Sequence, residues 1–349
     1  MNISLYGNYY FSYSKKYLEE DGHLVYLNHL SKDTDVCIVE SRFFMYEIYK
    51  KLNFIKKRKI KLINSVLDIP PWVLQKQFPQ NKKLKYLKQV LYNQAHKNQY
   101  FTNYIESLNQ NKKKNKKMSD LLKSKILEYF NSHYGNRIYF QKNYKTFLKH
   151  SDLNLSLSKF SQFLVKKFLK LDTKVCYPCV NSDYLLSLPK TQIKFDAINI
   201  SRIVPFKRQE IFVAAANHLG LKIAILGRYS DKTIKLDCPH YYFQNITDVF
   251  NLLNQTSFYV DASIFEGFGM TSVEAAFLDK PVITSDTCIH REVLGGYPLY
   301  FKRDNVDDLI EKMKLLLNKT YEMNNAEIKK KYSIQALKKR LLKHIESIT

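Results

Sequence analysis

Two acids, Glu266 and Glu274, stand either side of a glycine-bearing turn in Ala262-Ser-Ile-Phe-Glu266-Gly-Phe-Gly-Met-Thr-Ser-Val-Glu274-Ala275. A strand is expected to end near Asp261 and a helix to begin near Gly269. The turn then offers the first N–H groups and the positive dipole end of a helix, which suit a phosphate. Gly267 and Gly269 let the backbone approach a ligand closely. Glu266 precedes the helix, and Glu274 lies about one and a half turns inside it, on a different face from Met270 and Thr271. Two carboxylates flanking such a helix start can each hold hydroxyls, one of a sugar and one of a ribose. The same spacing also fits a strand–helix turn with two incidental acids.

A second element, Ser201-Arg202-Ile-Val-Pro-Phe-Lys207-Arg208, leaves one strand and enters a helix in the same region. Arg supplies a planar fork for phosphate oxygens and Lys a point charge. Together Arg202 and Lys207 can neutralise a departing nucleoside diphosphate, so that it leaves without needing a proton. Read alone, they are equally a pair of solvated cations. Both elements occupy strand-end positions of one sheet, and ligands of doubly wound sheets bind at the carboxyl ends of the strands.

The elements that must position these groups form a regular α/β pattern. Residues 195–200, 222–226, 257–260 and 281–284 read as strands. Residues 208–219, 248–254, 269–278 and 306–317 read as helices, with Gly220 and Gly227 as terminators. In the first half, apolar runs at 2–6, 24–27, 36–39 and 61–66 read as strands of a second parallel sheet. Residues 75–150 break the rhythm with a Lys-rich, aromatic insertion whose centre, 109–117, is low in complexity. Regularity returns at Asp152, with a strand end and helix cap at Ser156-Leu157-Ser158 and a helix over 160–171. Residues 175–180 are expected to close the first domain. The domains expected are 1–183, 184–325 and a C-terminal amphipathic helix over 326–349 able to cross back to the first domain. Its stripe is Ile334, Leu337, Leu341, Ile345 and Ile348, for which packing is favoured over membrane contact.

The chain has 349 residues and a formal net charge of +24. Residues 1–180 hold 33 Lys and Arg against 13 Asp and Glu, so the surplus belongs to the first half. A basic surface attracts anionic lipid, nucleic acid or phosphorylated substrates, and is also a common solvated face. There is no secretory signal pattern and no apolar run long enough to span a bilayer, so the expected location is cytoplasmic, free or on the cytosolic face of a membrane. The five cysteines are expected to be reduced thiols. Cys176-Tyr-Pro-Cys179 has CxxC spacing, but no second pair completes a metal site, and it reads as a loop leaving a strand.

Glu266 and Glu274 together resemble the Glu-x7-Glu motif of the family-4 retaining glycosyltransferases. The likeness extends to Ser201–Lys207, Ile223-Ala-Ile-Leu-Gly227, Pro281-Val-Ile-Thr-Ser and Arg291-Glu-Val-Leu-Gly, and thus to about 195–320. It is weaker in Asp152–Ser158 and Val175–Asp183. The resemblance implies a GT-B fold, two Rossmann-like doubly wound domains facing a cleft. It implies retaining transfer from a nucleoside-diphosphate sugar, UDP favoured over GDP, to a glycan or lipid-linked glycan in polysaccharide or glycoconjugate synthesis. No metal and no cofactor beyond the co-substrate are implied. Arg202 and Lys207 would bind the diphosphate, and Glu266 the sugar hydroxyls. The segment Gly267, Phe268, Gly269, Met270, Thr271 would approach the sugar and distal phosphate, and Glu274 would hold the ribose. On the acceptor side the family's glycine-rich loop is reduced to Gly7-Asn8. Its His-Asp pair is replaced by Leu67-Asp68, where Asp68 also reads as a turn residue before Pro70. His290 reads as a loop histidine. The alternatives are a sugar-nucleotide epimerase, a non-catalytic glycosylation subunit and a basic nucleic-acid-binding protein. No nucleic-acid module is recognisable, and nucleic acid is not an expected partner.

Overall fold

A computed structural model describes residues 1–6, 12–40, 48, 51–66, 147–228, 234–241, 246–318 and 323–349. Gly7, Asp68 and most of the Lys-rich insertion lie outside the described residues. The chain divides into two compact units, Met1–Cys176 with Leu341–Thr349, and Tyr177–Arg340.

The first unit is built on a parallel sheet of β1 (Asn2–Tyr6), β2 (Leu24–Leu27), β3 (Val36–Val39), β4 (Lys61–Val66), β5 (Leu153–Ser156) and β6 (Lys174–Val175), in the order β2-β1-β3-β4-β5-β6. Its described helices are α1 (Lys15–Glu20), α2 (Leu52–Lys57) and α3 (Lys159–Leu169). β3 is buried along its whole length. A parallel sheet covered on both faces needs such unbroken apolar runs, which is why the sequence marks these strands clearly. Tyr6, Val39, Ile55, Leu62, Phe147 and Val165 close one core. Ser158 caps α3, its hydroxyl accepting from the Ser161 amide at 2.9 Å, as the sequence led one to expect. Beyond β6, Cys176 and Cys179 are both buried.

The second unit carries α4 (Ser182–Ser187), β7 (Phe195–Ile200), α5 (Gln209–His218), β8 (Ile223–Leu226), β9 (His240–Tyr241), α6 (Ile246–Asn254), β10 (Thr256–Asp261), α7 (Met270–Phe277), β11 (Val282–Ser285), α8 (Cys288–Leu294), β12 (Leu299–Phe301), α9 (Val306–Leu317) and α10 (Ala326–Tyr332). α11 (Ile334–Glu346) follows. The sheet is parallel, in the order β12-β11-β10-β7-β8-β9. The chain runs outward from β7 through β8 and β9, then returns to lay β10 on the other side of β7. The order therefore reverses between β7 and β10, and their carboxyl ends flank the position where such sheets bind ligands. One face of the sheet packs through Phe212, Ile225, Phe258, Val260, Ile283 and Met313, and Ile198, Tyr259 and Val282 are buried on the other. Burying a side chain of this kind contributes roughly 1.5–3 kcal/mol.

The expected C-terminal segment is two helices, because Ser333 interrupts it in extended conformation. Ile334, Leu337, Leu341 and Ile345 are buried, so the stripe is spent on packing. None of the described helices is long and apolar enough to cross a membrane.

Candidate active site

The loop after β7 is fixed by backbone before any side chain is considered. The Ser201 amide donates to the Leu226 carbonyl at 3.0 Å and the Ile203 amide to the Arg228 carbonyl at 2.9 Å. Gly227 lies against this loop, and a Cβ built on it would sit 1.9 Å from the Ser201 carbonyl oxygen. No other residue fits without moving backbone. Gln209, fully buried in the first turn of α5, donates to the Ser201 hydroxyl at 2.6 Å and to the Arg202 carbonyl at 2.9 Å. A 3-10 turn, Pro205–Lys207, then delivers Lys207. Arg208 adopts φ 53° and turns away to Asp304, 2.7 Å distant, and Glu210. The two neighbouring cations thus have different roles, and Arg208 is bound up in structure.

The loop after β10 meets the first one directly. The Asn199 side chain donates to the Val260 carbonyl at 2.8 Å, bridging β7 and β10 where they part. The Ile264 amide donates to the Phe206 carbonyl at 2.9 Å. Lys207 and Glu266 form an ion pair, each side chain only 13% exposed. A charge pair this far from water is held more firmly than a surface pair. Gly269, at φ +85°, is the N-cap of α7 and makes no side-chain cap bond. A left-handed residue without a capping side chain leaves the first amides of the helix for another acceptor. The Phe268 ring is turned inward, 5.2 Å from Tyr332 and 6.4 Å from Tyr177 between centroids, so only its backbone is left to meet a ligand. Glu274 is buried in α7, and among the described residues no hydrogen bond reaches its carboxyl. Burial alone lifts that carboxyl to about 7.

Beneath the turn lies a buried polar hub. Asp261 Oδ1 accepts from the Ser263 amide at 3.0 Å and from the Ser263 hydroxyl, and Oδ2 accepts from the Ser272 hydroxyl at 3.2 Å. His290 Nε2 is 3.6 Å from Asp261 Oδ2. Burial pushes the Asp261 carboxyl up, but His290, Lys207 and Ser263 outweigh it and hold it well below the usual carboxylate range. Burial pushes the His290 imidazole down, but Asp261, Glu266 and the Ser285 carbonyl outweigh that and raise it. His290 belongs to α8, not to a loop, and is 1% exposed.

Of the residues singled out in the sequence, the structure joins Lys207 to Glu266 and sets Gly267, Gly269, Met270 and Thr271 at the same turn. Arg202 leaves the end of β7 with an exposed side chain, and among the described residues no ion pair holds its guanidinium. Gly7 and Asp68 fall outside the described residues. Among the described residues no group of three or more His, Cys, Asp or Glu is arranged to hold a metal ion. Sequence reasoning passed over Gln209 and Asp261 and misplaced His290. Their partners are distant in sequence, and a buried Asp at a strand end looks like any turn-forming Asp.

Residues 187–336 match the family model described as glycosyl transferases group 1. An uncharacterized glycosyltransferase of Methanocaldococcus jannaschii is 27% identical over 199 residues, covering 52% of this chain and 56% of that protein. The chain thus spans little more than half the length of that relative. Among solved structures, sucrose-phosphate synthase from Thermosynechococcus elongatus superposes with a TM-score of 0.60 at 10% identity, covering 100% of both chains. HepE of Anabaena, in complex with UDP and glucose, gives 0.58 at 12% identity, covering 99% of this chain and 100% of its own. The shared architecture is that of GT-B glycosyltransferases.

Proposed function

We propose that this chain is a retaining, metal-independent glycosyltransferase that moves a sugar from a nucleoside-diphosphate sugar to a glycan or lipid-linked glycan acceptor in polysaccharide or glycoconjugate synthesis. The observation that carries this reading is the Lys207–Glu266 pair set beside the uncapped start of α7, at the point where the second sheet reverses its strand order.

The pair supplies both halves of donor recognition. A diphosphate competes with Glu266 for Lys207, and the phosphate–ammonium contact leaves Glu266 free to accept from sugar hydroxyls. The amides of Met270, Thr271 and Ser272 face the distal phosphate, and Arg202 adds a second cation from the neighbouring strand end. Positive charge held in place before the reaction stabilises the diphosphate as the bond to the anomeric carbon breaks, with no reorganisation at that moment. Glu274 takes the ribose hydroxyls. A UDP-sugar is favoured over a GDP-sugar, and the UDP bound by HepE supports that preference. The excess of basic residues in the first half supports an acceptor displayed at an anionic membrane.

Transfer is tested with a radiolabelled donor and separated glycan acceptors. Lys207→Ala and Glu266→Ala are each expected to reduce labelled product by about a hundredfold or more. Donor consumed without acceptor would indicate an epimerase, and undiminished transfer by both variants would remove the site assignment.

A further inference from the structure

Donor binding leaves the buried His290–Asp261 pair without a task, yet the pair lies directly behind the Gly269 turn. A Cβ built on Gly269 would be 3.7 Å from His290 Cδ2, 3.8 Å from Nε2 and 4.0 Å from Glu266 Cγ. The imidazole edge and the Glu266 arm therefore converge on one side of the turn. Nδ1 is 2.7 Å from the Thr284 hydroxyl, which can donate or accept, and 2.9 Å from the Ser285 carbonyl, which only accepts. Nε2 faces Asp261 Oδ2 and has no hydrogen-bond partner among the described residues. A neutral ring protonated at Nδ1 points its Nε2 lone pair at a carboxylate, and one protonated at Nε2 points its Nδ1 lone pair toward the Ser285 carbonyl, in a place water does not reach. Protonation turns that repulsion into attraction.

The surrounding charges fit an imidazolium. Asp261 faces it from β10 and Glu266 from the following loop, with Lys207 paired to Glu266. β11 contributes the uncharged Thr284 and Ser285. On α8 itself, Arg291 is bound to Asp286 at 2.9 Å, and Glu292 accepts from the Tyr177 hydroxyl at 3.0 Å. Two cations and two anions thus alternate as Lys207, Glu266, His290 and Asp261. Drawing Lys207 away would leave both carboxylates uncompensated beside a neutral imidazole, and only one beside a charged imidazole.

We propose that His290 is a positioning residue for donor binding: its imidazolium, held by the Ser285 carbonyl and Asp261, is the positive charge that remains beside Glu266 and Asp261 once Lys207 turns to a bound diphosphate. The proposal rests on the donor-site reading. It adds a proton-dependent element that donor recognition by Lys207 and the helix start does not require.

The test is isothermal titration of UDP, GDP, ADP and dTDP into the full chain, continued with whichever binds the wild type. His290→Asn keeps an amide hydrogen aimed at the Ser285 carbonyl and loses the second ring nitrogen with its charge. The wild type is expected to bind about tenfold more tightly than His290→Asn while the imidazole is protonated, and the ratio to fall toward one as pH rises and the imidazolium is lost. Asp261→Asn removes the counter-charge and moves that fall to lower pH. Should His290→Asn fail to fold, the wild type against Asp261→Asn carries the same comparison through the displaced pH midpoint. An affinity ratio that ignores pH, or a midpoint unmoved by Asp261→Asn, overturns the proposal while leaving the donor site standing. Failure of every nucleotide to bind the wild type would end both.

Discussion

Replacing Glu274 by Gln should make the free protein more stable and the enzyme worse. Burial raises the Glu274 carboxyl from its ordinary 4.5 to about 7, and no partner among the described residues offsets this. Below the unfolded value, both states hold the proton and no penalty exists. Between 4.5 and about 7 the unfolded chain ionises while the folded one resists, so stability falls as pH rises. Above about 7 the loss is constant, at roughly 3 kcal/mol. Gln removes that loss but buries an amide, at a cost of about 1 kcal/mol at every pH. The variant should therefore gain about 2 kcal/mol at about pH 8 and lose about 1 kcal/mol at about pH 4. For a unit of this size, a gain of about 2 kcal/mol raises the melting temperature by roughly 4–8 °C. Differential scanning calorimetry at the two pH values reads this directly, following the transition of the second unit. The same variant should bind a nucleotide sugar more weakly, since a carboxylate that accepts from ribose hydroxyls has become an amide. A variant destabilised equally at both pH values would show that the Glu274 carboxyl is not held uncharged by burial, and the reasoning would fail.

Other expectations follow from single contacts. Gly227→Ala forces a methyl into the Ser201 carbonyl and should cost about 3 kcal/mol in a thermal melt, with donor affinity falling as the Arg202 loop shifts. An unchanged melting temperature would contradict the close approach. Glu266→Ala frees Lys207 from its partner, so it should retain nucleoside-diphosphate affinity in a calorimetric titration while losing transfer; parallel loss of both would assign Glu266 to folding rather than to the sugar. If the basic first half meets an anionic membrane, the chain should float with vesicles containing phosphatidylserine and not with neutral ones, and the difference should shrink as salt is raised. Equal partitioning would remove the membrane from the account.

How much of this was legible in the sequence follows from where each signal resides. β7, β8, β10 and β11 are almost wholly buried, so apolar residues cluster in each, and their ends fall within one position of those expected. β12 has three residues after Pro298 and gives no periodicity to read, and α8 hides between Thr287 and Gly295 in a stretch that looks like loop. Lys207 and Glu266 were accessible because strand-end loops of a doubly wound sheet are where such residues matter. The inward turn of Phe268 was not, because Tyr177 and Tyr332, which receive its ring, are neighbours only in the fold. The Asp261–His290 pair was hidden for the same reason: it is defined by burial and by partners on β10, α7 and β11, none of which a local motif encodes.

The central claim, that Lys207 and the start of α7 receive one diphosphate, is tested most directly by thermal shift of the full chain with UDP-, GDP-, ADP- and dTDP-sugars, for the wild type and Lys207→Ala. One nucleotide class should raise the wild-type melting temperature, by an amount matching about 2.7 kcal/mol at a hundredfold excess over Kd, and should leave Lys207→Ala almost unmoved. A flat wild-type response across the panel, or an equal rise in the variant, would contradict it.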